Sequence, residues 1–221
     1  MSNRIAVAGS ALHSGPNILG YSCYLGCNTG VSLNLLDLAR FLYDALRRTD
    51  AKVDEAFPQR VADIVKFHSK GSAAAAVASG WVPGVGAMAA TAISAGFIWT
   101  MYAKINHECK IPFSENLMKS LASGVATNLA SYVVGGLFMS TAFSLFPGIG
   151  SVGAAALIGG TCYALTLVSG GIYIKLLTAL VTEGVDPTKV TEADLLKRAT
   201  AATNATDVSG AIKDAKKSFQ A

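Results

Sequence analysis

The sequence predicts an all-α protein in which two tandem helical hairpins are embedded in a membrane. Between Lys119 and Lys175 the chain runs 55 residues without an Asp, Glu, Lys, Arg or His, and residues 71–103 are a second such stretch. Each stretch is broken once by a Pro-Gly-aliphatic-Gly sequence, at 83–86 and at 147–150. Each half of the longer stretch could cross a hydrocarbon layer of about 30 Å, since a helix rises about 1.5 Å per residue.

The composition favours lipid over water as the solvent of these four apolar arms. Charged residues are 14% of the chain, against about 25% in typical globular proteins, and the mean hydropathy is +0.43. The charges fall in residues 1–70, 104–119 and 175–221. A water-soluble helical bundle stays open as the alternative, although it would have to hide four uncharged helices behind few charged residues.

The N-terminal region, residues 1–57, contains one predicted amphipathic helix over residues 31–48. Leucines recur there at intervals of three and four, at Leu35, Leu38, Leu42 and Leu46, with charged residues between them. This spacing produces an apolar stripe along one side of a helix. The stripe can lie on a bilayer surface or pack against the rest of the same protein, and the sequence leaves both open.

The four apolar arms lie within a predicted membrane domain, residues 58–181. The arms cover residues 71–81, 84–103, the segment ending at Phe146, and the segment from Ile149 to about Leu180. Proline lacks an amide donor and glycine tolerates positive φ, so the breaks predict hairpin turns. The two breaks repeat in the same direction, which predicts a twofold axis along the membrane normal. The predicted turn residues are Pro83, Gly84, Gly86, Pro147, Gly148 and Gly150.

Beyond the arms, residues 182–221 form a polar tail. A cap-like sequence at residues 191–194 predicts a short helix through Ala202, and residues 207–219 predict another. A similar capping pattern at Ser114 begins the third arm.

Helix association in lipid depends on close packing, which small side chains permit. Asn128, the one side-chain amide in the long uncharged stretch, is expected to face another helix and form a hydrogen bond worth about 0.6–2 kcal/mol. The second and fourth arms each end in aromatic residues followed by lysine, as spans do at a membrane interface. The predicted packing residues are Gly96, Asn128, Gly135, Gly159 and Gly160. The predicted interface residues are Trp99, Tyr102, Lys104, Tyr173 and Lys175.

The turns carry no charge, and all the charges lie at the other ends of the arms. Both termini and the 104–119 linker are therefore expected on one side of the membrane, the cytoplasmic side.

Motifs of catalysis and of cofactor or metal binding are weak in this sequence. Residues 148–153 fit the G-x-G-x-x-G pattern, but Phe-Pro precedes them and the next acidic residue is Glu183, whereas a dinucleotide site needs a strand before and an acidic residue about 20 positions after. The three histidines are far apart, and the four cysteines form no paired metal motif. The net charge of +4 contains no basic stripe, so nucleic acid is not an expected partner. We expect no enzyme activity, cofactor or metal.

Residues 81–86, 110–114 and 146–150 together resemble the YcjF-like family of bacterial hydrophobic helical domains. The resemblance covers residues 58–181. It implies membrane association and coupling to a separate small GTPase. The chain has no P-loop, so a nucleotide-dependent step would belong to that partner.

The leading hypothesis is a non-enzymatic integral membrane protein that anchors, scaffolds or shapes a bilayer, with a homo-oligomer and a GTPase as expected partners. The alternative is a pore-forming or toxin-like protein that inserts an uncharged hairpin from a soluble shell. A transporter subunit is disfavoured because no charged residue lies within the arms to handle an ion.

Overall fold

The computed structural model describes residues 34–49, 51–79, 86–132, 149–186 and 189–220. Every regular element in these ranges is an α-helix, which confirms the predicted all-α class. The helices are α1 (Leu35–Arg47), α2 (Phe57–Ser79), α3 (Gly86–Cys109), α4 (Glu115–Ala130), α5 (Ile149–Thr182), α6 (Glu192–Asn204) and α7 (Val208–Gln220).

Helix α5 is the centre of the fold. It is 34 residues long, about 50 Å at 1.5 Å per residue, and it contacts each of the other six described helices. Nearly every described side chain from Ile158 to Leu180 is buried or half-buried. The other helices therefore act as a shell around one apolar helix.

Helices α2 and α3 pack against each other and run antiparallel. Near one end Arg60 of α2 pairs with Glu108 of α3, and further along α2 a Cβ added at Gly71 would touch Phe97. This is the arrangement expected of the first hairpin. The residues that would close the two hairpins, 80–85 and 133–148, lie outside the described part of the chain. The tandem-hairpin detail therefore stays a prediction.

Contacts with α5 give the directions of its neighbours. Val65 lies against Gly170 and Val77 against Gly159, so α2 runs antiparallel to α5. Tyr102 of α3 contacts Ser169 of α5. Four residues later in both helices, Asn106 of α3 contacts Tyr173 of α5. Helix α3 therefore runs parallel to α5. The C-terminal ends of α3 and α5 and the N-terminal end of α2 lie at the same end of the bundle.

Local sequence signals fix where several helices begin. Ser114 accepts a hydrogen bond from the Leu117 amide at the start of α4, and Thr191 accepts one from the Asp194 amide at the start of α6. A capping oxygen satisfies an amide that has no partner within the helix. The two capping patterns seen in the sequence are thus confirmed, and α6 and α7 lie where the tail was expected to be helical.

The third arm is interrupted after Ala130, and its remainder, residues 133–146, lies outside the described part of the chain. The sequence suggested a helix reaching Phe146, whereas α4 ends at Ala130. The Ser131 amide and hydroxyl both donate to the Asn128 carbonyl, and the Tyr132 amide donates to Leu129. Bonds of this i−3 type tighten and close the last turn of a helix. An uncharged composition alone did not reveal this stop.

Helix α1 places its apolar stripe against α2 and α5. Five residues of the stripe are buried: Leu35, Ala39, Leu42, Ala45 and Leu46. Of the two arrangements that the sequence left open, the structure shows packing within the same protein. The helix is shorter than predicted and begins after Asn34, whose side chain accepts from the Leu36 amide.

Candidate membrane interface

The four uncharged arms each meet their first charged residue at a lysine. These residues are Lys70, Lys104, Lys119 and Lys175. The first three are exposed and Lys175 is half-buried. Lysine suits a membrane boundary because its long stem can lie along apolar surface while the ammonium group stays in water.

Two of these lysines lie over aromatic rings. The Lys104 Nζ is 5.4 Å from the ring centroid of Phe67, and the Lys119 Nζ is 5.0 Å from that of Trp99. The Phe67 ring is large and 66% exposed. Aromatic rings beside lysines are typical of the level where a protein passes from hydrocarbon to headgroups. We call the four lysines with Phe67 and Trp99 the lysine–aromatic girdle.

Phe67, Lys70 and Lys119 are girdle residues that the sequence analysis did not single out. Two signals were available. Lys70 and Lys119 are the first charges outside an arm, and Phe67 is an aromatic residue within one turn of Lys70. The exposure of Phe67 could not be read from the pattern, because its neighbours Ile64 and Val65 suggested a buried face.

Two predicted interface residues lie in the protein interior. The rings of Tyr102 and Tyr173 are stacked with centroids 3.8 Å apart, and both residues are buried. The Tyr102 hydroxyl is 2.6 Å from the Ser169 Oγ, and the Tyr173 hydroxyl donates to the Asn106 Oδ1 at 2.5 Å. Their observed role is to join α3 to α5. A role for these two rings at a bilayer stays a prediction.

On the charged side of the girdle, an ion-pair network connects the N-terminal end of α2 to the C-terminal end of α3. Arg60 donates to Asp54 at 2.8 Å and to Glu108 at 2.9 Å. The guanidinium holds the pKa of the Asp54 carboxyl below its usual value of 3.8, chiefly through this hydrogen bond. The Lys110 Nζ donates to the carbonyl of Lys52 at 3.3 Å. Residues 52 and 110 thus lie together at one end of the bundle.

Lys110 itself has an unusual backbone conformation. Its φ is 55°, in the left-handed region that residues other than glycine rarely occupy. The Ile111 amide donates to the Asn106 carbonyl and the Lys110 amide to His107, which is the hydrogen-bond pattern that ends many helices. The conformation turns the chain sharply out of α3 beside the Arg60 network.

On the uncharged side of the girdle, the surface that α2, α3 and α5 expose is apolar, and most of its side chains are small. The described parts of these three helices on that side contain no Asp, Glu, Lys, Arg or His. The exposed positions there are Ala74, Ala78, Ala92, Gly96, Gly153, Ala156 and Leu157.

The predicted packing glycines divide into two groups. A Cβ at Gly159 would lie 2.5 Å from the Val77 Cγ2, and one at Gly160 would lie 3.3 Å from the Phe219 ring, so both lie at close helix contacts. A Cβ at Gly96 would meet nothing within 4 Å. Asn128 is half-buried. Gly135 lies outside the described residues.

The predicted turn residues border the described helices. Gly86 is the first residue of α3, and Gly150 lies in the first turn of α5, so both helices begin directly after the Pro-Gly sequences. Pro83, Gly84, Pro147 and Gly148 lie outside the described residues.

His68 lies two residues before the girdle lysine Lys70, on the charged side of the girdle, and is almost fully buried. Its ring is 5.4 Å from that of Phe67 and 6.5 Å from that of Phe97, and its Nδ1 is 2.7 Å from the Ile64 carbonyl oxygen. Burial lowers the pKa of this imidazole, and the charge of Lys104 lowers it further. The neutral ring is therefore favoured, with its Nδ1 proton donated to the carbonyl.

One described helix is long and apolar enough to cross a membrane. It covers Ala155–Thr182 within α5, with a mean hydropathy of 1.8 over its most apolar window, and 72% of that window is buried by the rest of the protein. A buried core helix meets the same length and composition criteria.

In the described ranges, no cluster of three or more His, Cys, Asp or Glu side chains could hold a metal ion. No protein-family model matches the chain, no curated protein is similar to it, and no solved structure matches it. The resemblance to the YcjF-like family therefore stays a prediction.

Proposed function

We propose that this chain is a non-enzymatic membrane protein that inserts its uncharged half into a bilayer and keeps its charged half on one side. The observation that carries the proposal is the lysine–aromatic girdle. The same three helices, α2, α3 and α5, pass through the girdle, and their described parts beyond it contain no Asp, Glu, Lys, Arg or His. A protein with this division can anchor or scaffold a membrane without any catalytic group.

Energetics support the same division. A Lys or Asp at the centre of a bilayer costs about 2.5–3.5 kcal/mol, and the uncharged half avoids that cost entirely. Lys70, Lys104 and Lys119 lie where their ammonium groups can reach the headgroups. The ion pairs of Arg60 lie beyond them, at the far end of α2 and α3.

The topology is testable with cysteines at the charged end. Lys52→Cys and Lys110→Cys, each placed in a chain whose other accessible cysteines are replaced by serine, should react with an impermeant maleimide from the same side of a sealed vesicle. Both positions lie at one end of the bundle because Lys110 contacts Lys52. Carbonate extraction should leave the protein in the membrane. Labelling of the two cysteines from opposite sides would remove the proposal.

A second function, hairpin insertion from a soluble shell to form a pore, is favoured by one observation. The most apolar helix, α5, is enclosed by all six other described helices, as expected of an apolar helix stored for later insertion. Release of a trapped dye from vesicles on adding the protein would favour pore formation. Insertion with retained dye would favour the anchor.

The finer parts of the anchoring hypothesis have separate supports. Membrane shaping rests on the uncharged half alone, because the apolar stripe of α1 is packed against α2 and α5. Vesicles that keep their size and curvature after reconstitution would remove it. Coupling to a small GTPase rests on the sequence resemblance alone. Cross-linking of the chain in its own membrane that captures no GTP-binding protein would remove that part.

A further inference from the structure

Helix α7 is amphipathic and, among the described helices, packs on one partner. It packs on α5 and makes at most marginal contact with the other described helices. Val208, Ile212 and Ala215 are buried against α5, and Lys213 and Lys217 on the other side are exposed. Within the described part of the chain, α7 can therefore leave α5 while the packing among the other helices stays in place.

The end of α7 reaches past the girdle. The Phe219 ring is 5.4 Å from that of Tyr163 and touches the position where a Cβ of Gly160 would be. The adjacent Gly159 lies against Val77 of α2, seven residues beyond Lys70 in the uncharged half. The last turn of docked α7 therefore lies beside the part that would enter the hydrocarbon.

This position conflicts with deep insertion. Lys216 and Lys217 lie within one turn of Phe219, so the docked helix brings two ammonium groups alongside the uncharged half of α5. Charges in hydrocarbon are strongly unfavourable. Either the uncharged half enters only partway, or α7 moves.

We infer that α7 is a releasable cover, which leaves α5 on membrane insertion and lies with its apolar face on the bilayer surface. This inference rests on the proposed function. On release, acyl chains replace α7 on the α5 surface around Gly160 and Tyr163. The apolar face of α7, in turn, contacts acyl chains at the bilayer surface instead of α5, and a helix with lysines on its polar face is stable there. Both surfaces stay out of water.

Gly160→Leu offers a test that leaves α7 itself unchanged. A side chain at Gly160 must displace the Phe219 ring, and overpacking of this size shifts a docking equilibrium by about 5- to 150-fold. We expect faster tryptic cleavage at Lys213, Lys216 and Lys217 in solution, by a factor in that range, and faster insertion into phosphatidylcholine vesicles. Gly153→Leu is the matched control, since it lies on the same helix with nothing within 4 Å. Its cleavage and insertion rates should equal those of the natural chain.

Cross-linking tests the inference in the other direction. In Tyr163→Cys/Phe219→Cys, with Cys23 and Cys27 replaced by serine, a short bis-maleimide should join α7 to α5, because both positions are half-buried and their rings lie 5.4 Å apart, whereas Cys109 and Cys162 are buried. The joined protein should insert several-fold less than the same variant capped with N-ethylmaleimide. This comparison does not depend on whether Gly160→Leu folds.

The outcomes separate the inference from the proposed function. If the natural chain fails to insert into vesicles, the proposed function is wrong. If the natural chain inserts and the cross-linked protein inserts equally well, α7 does not need to leave and only the inference is wrong. Insertion that is lost on cross-linking and accelerated by Gly160→Leu supports both.

Discussion

The two halves of this bundle are built from the same three helices but are held together by different contacts. In the charged half, α2, α3 and α5 are joined by directional polar contacts, such as the Arg60 ion pairs and the Tyr173–Asn106 hydrogen bond. In the uncharged half they are joined by close packing, as in the separate cluster of Ala76, Ile158 and Cys162 between α2 and α5, and by hydroxyl contacts such as Tyr102–Ser169 and Ser72–Ser94. Among the described residues, the ion pairs between these helices lie on the charged side of the girdle alone.

This difference shows how one helix can be packed in water along one part of its length and in lipid along another. In water, apolar burial drives association and polar contacts set a unique arrangement, whereas lipid removes most of the apolar driving force and leaves close packing to hold helices together. The uncharged half has the small residues that close packing needs, as Gly159 against Val77 illustrates. The charged half has charged side chains on its surface and buried hydrogen bonds in its interior.

The largest expected effect comes from a charge placed in the uncharged half. Ala78→Lys changes an exposed alanine of α2 that lies eight residues, about 12 Å, beyond Lys70, so the folded protein in water should be nearly unaffected. Insertion should cost about 2.5–3.5 kcal/mol more, which lowers the vesicle partition coefficient about 70- to 400-fold. Flotation with phosphatidylcholine vesicles measures the change.

The control for that experiment is Ala201→Lys, an exposed alanine of α6 in the polar tail. It adds the same charge outside the uncharged half and should leave partition within about twofold. Equal losses in the two variants would show that the two halves do not differ in their solvent.

A second comparison removes a polar contact from the charged half. Asn106→Ala takes away the acceptor of the buried Tyr173 hydroxyl, and a buried group left without its partner costs about 1–3 kcal/mol. The exposed Asn116→Ala should cost less than about 0.5 kcal/mol. Denaturant unfolding of the two variants measures the difference. A cost for Asn106→Ala as small as that for Asn116→Ala would mean that polar contacts do not stabilise this half.

The corresponding test of the uncharged half uses its glycines. Gly159→Ala forces a methyl group against Val77 and the Ala73 carbonyl. Overpacking of about 1–3 kcal/mol should exceed the helix-propensity gain of about 1 kcal/mol, so the free energy of unfolding should fall. Gly153→Ala has open space around it and should raise that free energy by about 0.4–1 kcal/mol. If both alanines stabilise the protein, close glycine packing does not hold this half together.

The smallest expected effect is a pH dependence at the girdle. The pKa of His68 is below its usual value of 6.5 in the folded state, so the unfolded chain binds more protons just below that pH and stability falls on acidification. The carbonyl of Ile64 and the charge of Lys104 face the ring. Between about pH 7.5 and pH 5 the melting temperature should therefore fall less in His68→Gln than in the natural chain.

The exposed Asn116→Gln changes no titratable group and is the control for this titration, so its pH dependence should match that of the natural chain. The window stops above the range of Asp54, whose lowered pKa contributes stability that is lost only at more acidic pH. An unchanged pH dependence in His68→Gln would place the acid sensitivity elsewhere in the chain.

Features that depend on local sequence were predictable. The helical class, the caps at Ser114 and Thr191, and the starts of α3 and α5 after their Pro-Gly breaks all follow from residues adjacent in the chain. Lys104 was also visible as the first charge after an apolar run, and it is exposed in the structure; its place at a membrane interface stays a prediction.

Features that depend on partners distant in the chain were not predictable. Tyr102 and Tyr173 have the positions of interface aromatics in the sequence, but each is the other's stacking partner across 71 residues. The central position of α5 requires six neighbours that no periodicity in α5 reveals, because apolar residues occur on all of its sides. The stop of α4 at Ala130 depends on i−3 hydrogen bonds in an uncharged run that could otherwise continue.

The depth of α2 in a bilayer tests the central claim most directly. Ala56 and Ala78 are both exposed and lie 22 positions apart, on opposite sides of the girdle, so each can carry a cysteine-linked fluorophore. In vesicles containing brominated lipids, fluorescence at position 78 should be strongly quenched and fluorescence at position 56 should not change. Equal quenching at the two positions, or none at either, would contradict a molecule divided between lipid and water.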